Sequence, residues 1–257
     1  MSNTRFYSAD KLAIGAIVAL SASAATHATR ALRLTIDDEL KLFNGDGNDY
    51  TCALISIKKN EVLAKVLSSQ AINNESPLNI TLLQGISSGD RMDYTIQKAV
   101  ELGVNSIQPI STERSVVKLS QERAQKRLEH WQNIVNSACE QSGRAFVPQI
   151  LPPASLSQWL ASNPAKDETR ILLNPIGATK LANLAKPNGK ITLLIGAEGG
   201  LSQHEIDAAT SQKFQSIILG PRILRTETAA LTAISSMQTM WGDFKNFNLI
   251  ISVFNKY

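Results

Sequence analysis

A chain of 257 residues, 43% hydrophobic and 19% charged, can bury one large or two modest cores, which excludes a disordered polypeptide. Its formal charge of +4 and pI near 9.1 favour an acidic partner such as nucleic acid without naming one. Cys52 and Cys139, and His27, His130 and His204, show neither disulfide nor metal-ligand spacing, so reduced thiols and no metal are expected.

The first apolar run, 12–20, precedes Ser21-Ala22-Ser23-Ala24-Ala25 and follows Arg5 and Lys11, an arrangement that resembles a secretory signal. The run is too short for a membrane span. Asp10 also sits where a signal carries positive charge. A strand entering a helix capped by Ser21 or Ser23 fits better. No other stretch is long enough to cross a bilayer, and the cytoplasm is the expected location.

One helix is expected near 22–34. Residues 39–43 alternate polar and apolar, 44–48 form a turn cluster, and 50–57 and 61–67 read as two more strands around Lys58-Lys59-Asn60. Residues 1–70 are therefore expected to be a small β-rich domain, with a linker over 70–77. Residues 76–245 then alternate strands (78–84, 106–110, 170–173, 191–195, 216–219) with helices (94–102, 120–141, 202–212, 226–241). Such alternation predicts an α/β domain with a mainly parallel sheet. The tail, 246–257, fits a strand, an interface segment or an extension equally well.

Open parallel sheets take ligands at the carboxyl ends of their strands, and two loops there stand out. Ile195-Gly196-Ala197-Glu198-Gly199-Gly200-Leu201-Ser202 leaves a buried strand and enters a helix, with Ser202 and Glu205 spaced as a capping box. It has neither the Gly-Lys-Ser/Thr of a phosphate loop nor dinucleotide spacing. A tight turn and a backbone-lined ligand cradle both fit it. Leu219-Gly220-Pro221-Arg222-Ile223-Leu224-Arg225 leads into Thr226-Glu227-Thr228-Ala229-Ala230. Positive charge is unfavourable at a helix N-terminus, so Arg225 points to a ligand. The following helix is rich in small residues, which would admit another backbone, such as a partner subunit's.

These two segments resemble the signature motifs of the ribosomal RNA small subunit methyltransferase E family, in the knotted SPOUT class. Residues 97–103, 113–118 and 140–144 also match that family. His27-Ala28-Thr29-Arg30-Ala31-Leu32-Arg33-Leu34 is similar to its PUA-like RNA-binding domain. The likeness covers about 5–244. It implies a PUA-like barrel over 1–70 followed by a SPOUT domain over 76–245, a mainly parallel α/β sheet with a C-terminal trefoil knot. It also implies a homodimer and S-adenosylmethionine as cofactor. The implied reaction is methylation of N3 of a uridine (uridine 1498 by this resemblance) in 16S rRNA of the assembled small subunit. Ala197 stands where the family usually has proline, and the tail has no familiar counterpart.

The resemblance and the loops together nominate residues. Arg225 is the candidate to stabilise negative charge on the uracil oxygens, or to clamp a phosphate or pair with a glutamate. Glu198 and Glu227 are candidate bases, with a structural or cofactor-orienting role favoured for each and water an equal candidate for the proton. The cofactor is expected against Leu173, Leu194, Gly196, Glu198, Gly199, Gly200, Leu219, Gly220, Leu224, Thr226 and Ala229. Candidate RNA contacts are Arg5, Arg30, Arg33, Arg91, Lys98, Arg114, Lys118 and Arg144. Two competing readings are a non-catalytic RNA-binding factor and a SPOUT enzyme with another RNA target.

Overall fold

The computed structural model describes residues 4–59, 61–115, 120–174 and 178–245; Lys118, Pro175 and the tail 246–257 lie outside them. The chain forms two compact units, Met1–Glu75 with Lys126–Ile150, and Ser76–Gln125 with Leu151–Tyr257.

In the first unit, β1 (Arg5–Tyr7), β2 (Ile17–Ala19), β3 (Glu39–Phe43), β4 (Asn48–Lys58) and β5 (Glu61–Ala71) make one sheet in the order β1-β3-β4-β5-β2. β1 runs parallel to β3 and the other pairs are antiparallel. Alternation does the sorting on β5, where Val62, Ala64 and Val66 face the core and Lys65 and Leu67 face solvent. Register shifts at Thr51/Cys52 and Leu54/Ser56 mark bulges in the long β4–β5 pair. The signal-like run is folded: Leu12, Val18 and Leu20 are buried beside Phe6, Leu40 and Leu54.

Ser21 caps α1 (Ala22–Thr26), accepting the Ala24 N–H at 3.2 Å. The expected long helix is not continuous. A π-turn over His27–Ala31 follows α1, and Arg33 then takes a φ of 56°. That left-handed residue ends helical geometry, so Arg30 and Arg33 do not share an α-helical face, although both are exposed.

The largest departure from expectation concerns α3 (Gln121–Ser142). The sequence assigns it to the second domain, yet residues 126–150, including short β8 (Gln149–Ile150), pack with the first unit. Arg5 supplies the reason. Its side chain pairs with Asp49 at 2.8 Å and lies 3.7 Å from the Phe43 ring centroid. It also donates to the carbonyls of Cys139, in the last turn of α3, and Arg144, just beyond it, at 2.7 and 2.9 Å. Arg144 is buried too, paired with Glu75. Both arginines were expected to contact RNA; burial and ion pairing make them structural instead.

The second unit holds β6 (Asn79–Gly85), α2 (Asp90–Glu101), β7 (Ser106–Ser111), β9 (Ala154–Ser155), α4 (Leu156–Ser162), β10 (Thr169–Leu173), β11 (Thr179–Lys180), β12 (Lys190–Ile195), α5 (Gln203–Ser211), β13 (Phe214–Ile218) and α6 (Thr226–Trp241). Its strands run β11-β13-β10-β12-β6-β7, with β9 also on β7, and every pairing among them is parallel. Five successive residues of β12, Ile191 to Ile195, are buried, the signature of a strand covered on both faces. Ser202 caps α5 in a reciprocal capping box with Glu205, as the spacing predicts.

Candidate active site

The loops that follow β12 and β13 meet the end of β10 around a cavity of about 470 Å³. Leu173, Gly196, Glu198, Gly200, Leu224, Thr226, Glu227 and Ala229 of the nominated set line it, together with Arg225, Arg91 and Arg114. Ile195, Ala197 and Ile223 add walls that sequence reasoning did not nominate. Leu194, Gly199, Leu219 and Gly220 do not line it. The Leu194 side chain is fully buried in the core beneath the loops. Gly199 is small for another reason: a Cβ there would sit 2.8 Å from the Arg114 carbonyl oxygen. Lys98 pairs with Glu101 one turn along α2 and is not part of the cavity wall.

The two loops are tied to each other. The Thr226 hydroxyl, at the first turn of α6, donates to the Gly196 carbonyl at 2.6 Å and accepts from Gln84 Nε2 at 2.8 Å. A third element presses in from β6. A Cβ on Gly85 would lie 2.2 Å from the Ala197 nitrogen, so only glycine lets the β6 end pass under the first loop. Gln84 and Gly85 escaped sequence reasoning. The usable signal was a polar residue and a glycine directly after the apolar pair Leu82-Leu83.

Glu198 is anchored from α2 and the loop before it. Its carboxylate accepts the Ser88 N–H and hydroxyl, both at 2.9 Å, and meets Arg91 at 3.2 Å. Burial pushes its pKa up, but the Ser88 and Arg91 hydrogen bonds outweigh that, and the net shift is downward. A carboxylate held ionised this way is a poor proton acceptor and a good fastener for the loop. Glu227 differs: its Oε2 is buried and has no hydrogen-bond partner among the described residues. Arg225 is the N-cap residue of α6, makes no side-chain cap bond, and is exposed at the cavity rim. No group of three or more histidines, cysteines or carboxylates able to hold a metal occurs among the described residues.

A backbone-walled cavity at the carboxyl edge of a parallel sheet, with three arginines and two glutamates on its wall, is suited to hold a polar organic ligand. The family models specify the class. Residues 74–238 match an RNA methyltransferase domain, and residues 20–67 match an RNA methyltransferase PUA domain. The ribosomal RNA small subunit methyltransferase E of Buchnera aphidicola is 35% identical over 241 residues, covering 94% of this chain and 95% of that protein. That of Bacillus subtilis is 34% identical, covering 82% and 85%. Among solved structures, the Neisseria gonorrhoeae enzyme bound to S-adenosylmethionine is 46% identical, with a TM-score of 0.88, covering 93% of this chain and 98% of that one. A methyltransferase from Legionella pneumophila with bound S-adenosylmethionine is 38% identical, with a TM-score of 0.90, covering 95% and 100%. The chain belongs to the ribosomal RNA small subunit methyltransferase E family.

Proposed function

We propose that this chain methylates N3 of one uridine in 16S rRNA, uridine 1498 by family resemblance, on the assembled small subunit. It does so as a cytoplasmic homodimer, with a trefoil knot in the C-terminal part of the catalytic domain. The observation that carries the reading is the convergence of both motif loops on one cavity, pinned by the Thr226–Gly196 bond.

The residues present suit S-adenosylmethionine. The glycine-bearing 196–200 turn and Leu224 offer backbone groups and apolar walls, and the lone Glu227 Oε2 offers an acceptor for a ligand N–H or O–H. When bound, the cofactor supplies an electrophilic methyl group. The chain's own task is positioning and charge management. Glu198 holds the first loop through Ser88 and Arg91. Arg225, exposed at the rim, stabilises negative charge on the uracil oxygens as Glu227 or water takes the N3 proton. Arg30 and Arg33, exposed on the first unit, and Arg91 and Arg114, at the cavity, are the cations for phosphate contact; Lys118 is included by resemblance. Ile223 is 92% exposed beside the cavity, which suits burial against a second copy of the chain.

The decisive measurement is incubation of the protein with radiolabelled S-adenosylmethionine and unmodified small-subunit particles, followed by mapping of the labelled nucleotide. Label on uridine N3 is expected. Absence of label in RNA overturns the reading, and label on another nucleotide overturns its target.

A further inference from the structure

A cavity of about 560 Å³ lies wholly within the first unit, walled by β1, the 8–10 turn, the start of α1 and one face of α3. On α3, Asn133, Asn136, Ser137 and Glu140 follow helical spacing and all line it. Asp10 lines it too, and no lysine or arginine among the described residues does. Two carboxylates without a cation disfavour a phosphate inside. Two amides and a hydroxyl disfavour a purely apolar ligand.

The rest of the wall is mostly small residues, with Phe6, Tyr7 and His27 as its aromatic groups. Phe6 and His27 meet edge to face with centroids 5.6 Å apart, and the His27 ring is exposed. Glu140 Oε1 accepts the Tyr7 N–H at 2.9 Å, which leaves the carboxylate with spare acceptor capacity. Burial raises the Glu140 pKa, against the opposing pull of Tyr7, His27 and Arg5, so N–H donors from a ligand would relieve a costly charge. A flat ring for stacking, N–H donors for a carboxylate and edges for amides are together the features of an unpaired nucleobase. Guanine fits best, because its N1–H and N2–H groups stand side by side to meet one carboxylate.

We propose that this cavity receives a single unpaired guanine of the substrate RNA, splayed from its stack, with the exposed Arg30 and Arg33 taking flanking phosphates outside. The proposal rests on the chain acting on RNA. It adds a second reading point, on the unit that does not carry the methyl-transfer cavity.

The test uses the full-length protein and two readouts. By fluorescence anisotropy, the wild-type protein should bind a guanosine-containing single-stranded RNA hexamer roughly tenfold more tightly than the same hexamer with inosine, which lacks the N2 amino group. Glu140→Gln should erase that preference. Ser137→Trp, at an exposed position that fills the cavity without entering the core, should weaken both hexamers. With unmodified small-subunit particles, both variants should raise KM roughly tenfold and leave kcat and S-adenosylmethionine affinity unchanged. A wild-type protein that binds the two hexamers equally overturns the proposal, as does a particle KM within about twofold of wild type for both variants. Guanosine preference without methyl transfer to particles overturns only the function proposed above.

Discussion

The Thr226 hydroxyl and the Gly196 carbonyl, 30 residues apart in sequence and 2.6 Å apart in space, join the loop after β12 to the helix after β13. Gln84 Nε2 completes the chain of bonds from β6. Thr226→Val removes the donor and strands a buried Gln84 N–H, a change of about 1–3 kcal/mol. Calorimetry should find S-adenosylmethionine affinity reduced roughly tenfold, with Thr226→Ser close to wild type. Equal affinity in Thr226→Val would mean the tie does not shape the cavity.

Gly85 makes the next prediction. A methyl group there would collide with the Ala197 backbone. Gly85→Ala should lower unfolding stability by about 2–3 kcal/mol in denaturant titration and weaken cofactor binding in step. Unchanged stability would show that the first loop can move aside.

Arg225 should separate binding from chemistry. Arg225→Ala is expected to keep S-adenosylmethionine affinity within about twofold and to lower kcat on small-subunit particles roughly a hundredfold. Arg225→Lys should fall between, since an ammonium cannot reproduce the guanidinium fork. An unaltered rate in Arg225→Ala removes the residue from the mechanism.

The lowered pKa of Glu198 carries a pH prediction. Its folded-state value lies below the unfolded one, so its hydrogen bonds stabilise the loop at pH above the ordinary carboxylate range and fade as pH falls through the folded value. Glu198 should therefore contribute no titration to cofactor affinity between about pH 6 and 8. Calorimetry at decreasing pH should show affinity falling only below that range, and Ser88→Ala should move the fall upward. A Glu198-dependent step near neutrality would contradict the geometry.

The buried arginines make a contrasting pair with the exposed ones. Arg144→Leu leaves Glu75 without its partner and should cost about 3 kcal/mol of stability. The salt dependence of RNA binding should stay the same. Arg30→Ala should leave stability alone and reduce the slope of log K against log salt by about 1. The opposite assignment of effects would return Arg144 to the RNA surface.

The pattern of success and failure in the sequence has a physical origin. The loops at 196–202 and 219–225 were legible because a buried strand, glycines, a capping box and a misplaced arginine all act locally. Periodicity likewise located α6 at its observed bounds. Gly85 was not legible, because its need for a bare Cα comes from Ala197, on a different strand's loop. Arg5 and Arg144 read as surface charges because their partners, Asp49, Glu75 and main-chain carbonyls, are remote in sequence. The single helix expected over 22–34 would set Arg30 and Arg33 on one face, because nothing in residues 27–33 announces a π-turn and a left-handed residue.

The Arg5 bonds to the carbonyls of Cys139 and Arg144 bear on how the chain is made. Synthesis runs from the N-terminus, so β1 to β5 leave the ribosome well before residues 126–150 exist. Until then the Arg5 guanidinium has neither of those acceptors, and Glu75 waits for Arg144. The first unit is the first to begin folding but cannot finish until more than half of the polypeptide has emerged. A fragment stopped at the end of β5 should therefore need the 126–150 segment, supplied in trans or by fusion, before its sheet closes.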